Sequence, residues 1–243
     1  KQRIALACAG LAFFSVNTLA EVQTATLENA TLNIDTDTND FTISALHHSG
    51  FQITYLTDDN GTPYANLPSM ALPGAALTDV TNKTANNVEL VETATTLILK
   101  RNNIAAHVDK VTHAISYSVN GKIVAKEQGG LSISSNGVSL SFALDENEKL
   151  YGGGQRVLGM DRRGHSMPLY NKAHYGYTTS SNQMYFGLSA VMSSKNYSVL
   201  FDNTASGELD IGKTNSDELL FKAQGGRASY IMVLGENLED TVT

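Results

Sequence analysis

Residues 150–177, LYGGGQRVLGMDRRGHSMPLYNKAHYGY, concentrate the side chains best suited to ligand chemistry. Three glycines stand in a row, two arginines are adjacent, and two histidines and four tyrosines lie within the same turn-rich stretch. Glycine lets backbone turn tightly or approach a ligand closely. Tyrosine offers an apolar face and a polar tip. A segment that only filled a core would show apolar periodicity instead. The mixture suits a polar ligand with apolar faces, such as a sugar, with Tyr170, Asn171, His174, Tyr175 and Tyr177 as candidate contacts.

Other chemistries fit less well. Gly152–Gly154 lacks the Gly-Lys-Ser/Thr of a phosphate loop and the βαβ setting of a dinucleotide fingerprint, so the glycines are expected to permit a tight strand crossing. Arg162 and Arg163 are expected to brace strand ends, pairing with a carboxylate such as Asp161, rather than to bind an anion. His47 and His48 are adjacent and would point to opposite faces of a strand. His107 and His113 share a face in principle but lack an evident third metal ligand. No cofactor or metal is expected.

The elements around this segment follow a β pattern. Thr31–Asp35, Phe41–Ala45 and Phe51–Tyr55 alternate apolar and polar residues, as half-buried strands do. Asn120-Gly121 and Asn136-Gly137 sit between runs of strand type, and both residues tolerate the positive φ of a two-residue hairpin turn. Further strands are expected at Leu97–Lys100, Met184–Met192, Ser198–Phe201, Glu218–Ala223 and Ala228–Leu234. After the first twenty residues no amphipathic helix of useful length appears. The fold class predicted is all-β, an antiparallel β-sandwich.

Composition bounds the partners. The 243 residues carry a net charge of −7, which argues against a nucleic-acid partner because phosphate binding needs clustered Lys and Arg. Residues 1–20 have the form of a signal peptide: Lys1 and Arg3, then the apolar run Ile4–Val16, then Thr18-Leu19-Ala20 before Glu21. The apolar run is too short to span a bilayer. Cys8, the one cysteine, lies within it, so the mature chain would hold no disulfide. Export from a bacterium, to the periplasm or beyond, is the expected localisation. The expected organisation is a signal peptide at 1–20, a sandwich at 21–235 and the start of a helix at 236–243.

Several quoted elements resemble the N-terminal β-sandwich domain of glycoside hydrolase family 31. They are Tyr151-Gly-Gly-Gly-Gln-Arg156, Arg163-Gly164, Tyr170-Asn171 leading to Tyr175 and Tyr177, Ser198-Val-Leu-Phe-Asp-Asn203, and Gly225-Gly226 before a strand closed by Gly235. The resemblance covers about 90 residues in order; residues 25–149 agree only in being β-rich. It implies a galactose-mutarotase-like sandwich leading into a catalytic (β/α)8 barrel that is absent from this sequence. Retaining glycosidases place two carboxyls roughly 5–5.5 Å apart, one as nucleophile and one as acid/base. The resemblance puts both on the barrel, so this chain alone is expected to be inactive.

By the same resemblance, Tyr170, Asn171, Ala173, His174 and Tyr175 belong to a loop that touches the sugar beyond the scissile bond. Many α-glucosidases of the family have aspartate where Ala173 stands, which leaves transglucosylation, α-xyloside or α-galactoside chemistry open. The partners implied are an α-linked oligosaccharide and the barrel. The alternative is a stand-alone, noncatalytic carbohydrate-binding sandwich. A periplasmic structural or adhesin-like domain explains the β pattern but not the aromatic-Asn loop.

Overall fold

A computed structural model describes residues 22–46, 49–56, 69, 71 and 87–242. The signal-peptide reading of residues 1–20 and the His47-His48 pair fall outside those residues. The described chain is all-β, and its strand pairs are antiparallel.

One sheet has eight strands. Its order is β1 (Val22–Glu28), β2 (Thr31–Thr36), β3 (Phe41–Ala45), β4 (Gly50–Tyr55), β18 (Ser229–Leu234), β15 (Tyr197–Phe201), β14 (Gly187–Ser193) and β12 (Leu150–Gly154). Two five-stranded sheets face it. The first runs β10 (Ser132–Ser134), β11 (Gly137–Ala143), β17 (Glu218–Ala223), β16 (Gly207–Ile211) and β13 (His165–Leu169). The second runs β5 (Val88–Glu92), β6 (Thr96–Arg101), β7 (Ile104–Asp109), β8 (Ile115–Val119) and β9 (Lys122–Lys126). An isolated bridge between Glu127 and Phe142 joins the two smaller sheets.

Alternation along the strands makes the core. Phe41, Ile43 and Ala45 are buried while Thr42 and Ser44 are partly exposed, so one face of the strand enters the sandwich. Aromatic rings span the layers. Phe201 of β15 stacks on Phe221 of β17 with centroids 4.5 Å apart. Tyr230 of β18 meets Tyr117 of β8 and Phe142 of β11 edge-on.

The same core holds a polar knot. Glu127, 1% exposed, accepts hydrogen bonds from the Ile115 amide at 2.7 Å and from the Tyr230 hydroxyl. Tyr230 shares a 2.5 Å hydrogen bond with Tyr117. Burial pushes the Glu127 carboxyl up to about 7, against the smaller opposing effect of its hydrogen bonds.

Turn chemistry explains the hairpins, with one shift. Asn120 and Gly121 close β8–β9 with φ of 50° and 77°. At β10–β11 the expected Asn136-Gly137 turn moves back one residue, because Ser134 pairs with Gly137 and the turn lies between them. Gly137 opens β11 at φ 123°, where a Cβ would stand 1.9 Å from the Ala223 carbonyl oxygen. After β18 the chain forms a single 3₁₀ turn, Glu239–Thr241.

Candidate functional site

The glycine run builds the floor of the site. Gly152, Gly153 and Gly154 all have positive φ (115°, 74° and 83°) and form the end of β12, with a register shift against β14. A Cβ on Gly153 would meet Met167 Cε at 2.6 Å. The glycines therefore let β12 press against β13 of the facing layer as well as pair with β14.

The adjacent arginines brace this floor by a route different from the one expected. Arg162 donates from Nε to the Gly152 carbonyl at 3.0 Å, and from Nη1 to the Leu158 and Gly159 carbonyls at 2.6 and 2.5 Å. Arg163 donates to the carbonyls of Asp145, Glu148 and Ser216. Asp161 takes backbone amides instead, those of Leu150 at 3.3 Å and Arg163 at 3.1 Å. A guanidinium fork can serve several carbonyls at once.

Between β13 and β14 runs the loop 170–186. It carries every predicted contact residue. Tyr170 is 54% exposed and Tyr175 87% exposed; Asn171 and Ala173 are exposed and His174 is half-buried. The Tyr170 ring lies outward, with Lys172 Nζ 5.5 Å above it. The loop is closed at its base. Asn171 Oδ1 accepts from the Gly187 amide at 2.5 Å, Gln183 donates to the Tyr170 carbonyl at 2.8 Å, and Asn182 donates to the Ser166 carbonyl at 3.3 Å. Met184 is buried beneath it.

Two residues escaped the sequence reading. Tyr185 and Phe186 were assigned to a strand from Met184, but β14 begins at Gly187, and both side chains lie exposed in the loop. Tyr185 stands between Tyr175 and Tyr177, edge-on to each with centroids 6.4 Å apart. The aromatic pair ahead of an alternating run was the available signal. The loop thus presents a tyrosine cluster with ring faces and hydroxyls open to a ligand or partner.

The remaining histidines lie elsewhere. His107 on β7 bonds Ser118 Oγ at 2.8 Å, and burial together with Lys100 lowers its pKa. His113 sits in the β7–β8 turn at φ 59°. Among the described residues no group of three His, Cys, Asp or Glu could hold a metal, and no helix is long and apolar enough to cross a membrane.

The architecture defines a galactose-mutarotase-like sandwich domain with an aromatic loop at one edge. The chain belongs to the family of glycosyl hydrolase 31 N-terminal galactose mutarotase-like domains, whose sequence profile matches residues 40–210. It is 25% identical over 167 residues to alpha-glucosidase 2 of Bacillus thermoamyloliquefaciens, covering 66% of this chain and 20% of that protein. It is 26% identical over 137 residues to an alpha-xylosidase of Saccharolobus solfataricus, covering 51% of this chain and 18% of that one. The chain therefore spans about a fifth of the length of these relatives. Among solved structures, a GH31 dextranase of Flavobacterium johnsoniae in complex with isomaltotriose superposes with a TM-score of 0.79 at 18% identity, over 91% of this chain and 27% of that one. A cycloalternan-forming enzyme from Listeria monocytogenes, in complex with a pentasaccharide substrate, gives 0.71 at 11% identity, over 89% and 21%.

Proposed function

We propose that this chain is the N-terminal part of an exported retaining α-glycosidase or α-transglucosylase acting on α-linked oligosaccharides. In this reading the sandwich packs on a catalytic barrel encoded further along the gene. The loop 170–186 lends Tyr170, Asn171, Ala173, His174 and Tyr175 to the mouth of that barrel. The supporting observation is the tyrosine cluster itself, held outward on a base closed by Asn171 and Gly187. Tyrosine faces suit sugar C–H groups and their hydroxyls suit sugar hydroxyls. The residue at 173, alanine, supplies no hydrogen bond, which favours His174 or Tyr175 as the polar contact.

The test is Tyr175→Ala and His174→Ala in the full-length protein. Reduced kcat/KM or an altered product pattern is expected, with folding intact because Tyr175 is so exposed. Unchanged kinetics and products would make the loop structural. The present chain should not hydrolyse a nitrophenyl α-glycoside; turnover well above a heat-inactivated control would overturn the placement of catalysis on the barrel. Glycan binding by this chain alone would favour the binding-module alternative. Export predicts a mature N-terminus at Glu21, read by mass spectrometry of the secreted protein.

A further inference from the structure

Three arginines follow the glycine run, and Arg156, beside the base of the loop, differs from the other two. Arg162 and Arg163 each reach three backbone carbonyls. Arg156 reaches one, from Nη2 to the Pro168 carbonyl at 2.9 Å. A guanidinium carries five N–H donors and keeps its charge in proteins. Arg156 is 8% exposed, and its Nε is enclosed without an acceptor among the described residues. Nη1 also lacks an acceptor there but is not enclosed.

No carboxylate pairs with Arg156 among the described residues. Burial first, then the neighbouring Arg162 charge, lowers its pKa. A buried guanidinium facing another cation is an arrangement that a partner charge normally offsets. Its position is specific. A Cβ on Gly187 would stand 2.9 Å from Arg156 Nη2 and 3.2 Å from Asn171 Oδ1, so the head group lies beside the knot that closes the loop. Phe186 and Leu188, on either side of Gly187, are both exposed.

We infer that Arg156 is the charge anchor of the surface that receives the following domain, and that the domain supplies a carboxylate to it. The inference rests on the docking reading above and adds the chemistry of the partner group. A carboxylate arriving at Nη1 matches the planar fork of the guanidinium, which a lone hydroxyl or amide would not. It would neutralise the charge that two carbonyl-satisfied neighbours leave uncompensated. It would also hold the base of the loop through Pro168 and Gly187, making Arg156 a positioning residue rather than one that touches sugar.

The experiment uses the full-length protein as wild type, Arg156→Gln and Arg156→Lys. Hydrogen exchange is followed over 169–188, with small-angle scattering, at low and high salt. Wild type should scatter as one compact body, with the segment protected at low salt and less so at high salt, because ion pairs are screened. Arg156→Gln should lose protection by about tenfold or more and lose its salt dependence, while Arg156→Lys should keep most of both. Wild-type behaviour in Arg156→Gln would overturn the anchor while leaving docking intact. Equal losses in the Gln and Lys variants would assign the effect to loop shape and overturn it as well. Scattering from separated bodies, or from two sandwich copies joined at this face, in wild type would refute the docking reading itself. If Arg156→Gln fails to fold, the salt response of wild type and Arg156→Lys decides.

Discussion

Replacing Glu127 by glutamine should remove most of the pH dependence of stability near neutrality. The carboxyl lies buried beside Tyr117 and Tyr230, and that burial keeps its proton up to about pH 7 in the folded chain. In the unfolded chain it ionises near the reference value of 4.5. A folded pKa above the unfolded one gives stability that is fully present below pH 4.5 and lost as the pH rises through 7. The difference of two to three units corresponds to about 3 kcal/mol. His107 and His113 have folded pKa values lowered by burial, so their contribution runs the other way and is lost as the pH falls. Subtracting the variant from the wild type cancels them. Urea unfolding followed by circular dichroism from pH 4.5 to 8.5 should give a wild-type-minus-variant difference that moves against the wild type by about 3 kcal/mol across that range. A flat difference would refute the reasoning, because it would mean that Glu127 titrates alike in both states.

Other outcomes follow from the floor of the site. Gly153→Ala should destabilise by about 1–3 kcal/mol, since it forces a side chain into positive φ and against Met167. Gly159→Ala, with open space around it, should stay within about 0.5 kcal/mol, and thermal melts of the pair make the control. Arg162→Ala should cost about 1–3 kcal/mol by removing the buried guanidinium that ties the Gly152 carbonyl of β12 to the Leu158 and Gly159 carbonyls of the following loop, measured by denaturant titration. Asn171→Ala should speed hydrogen exchange at Gly187 and along 170–186 while leaving exchange in β15 and β18 unchanged.

The fold was legible wherever one strand face met the core and the other met solvent. Phe41–Ala45 and Glu218–Ala223 emerge from the alternation residue for residue. Strands without that contrast were missed. In β7, Ala105 and Ala106 are both buried, so Ile104–Asp109 shows no alternation. In β12 and β13 the glycines and Pro168 look like turn residues; Pro168 is tolerated because β13 is an edge strand. The candidate loop was recognised from residue types and family likeness, but its closure was not. Asn171 reaches Gly187, and Tyr185 meets Tyr175 and Tyr177, across a chain separation at which no local spacing rule operates.

The place of β18 in the eight-stranded sheet has a consequence for folding. This strand, nearly the last described, lies between β4 and β15 and carries Tyr230, Met232 and Leu234 into the core. Until β18 is in place, no strand pairing in this sheet links β1–β4 to β14–β15. Until then β4 and β15 present unpaired edges. Pairing Thr54 with Ser229 spans most of the sequence, and long-range closure of this kind is slow. The eight-stranded sheet is thus completed only when β18 joins β4 to β15, so its closure comes late in folding.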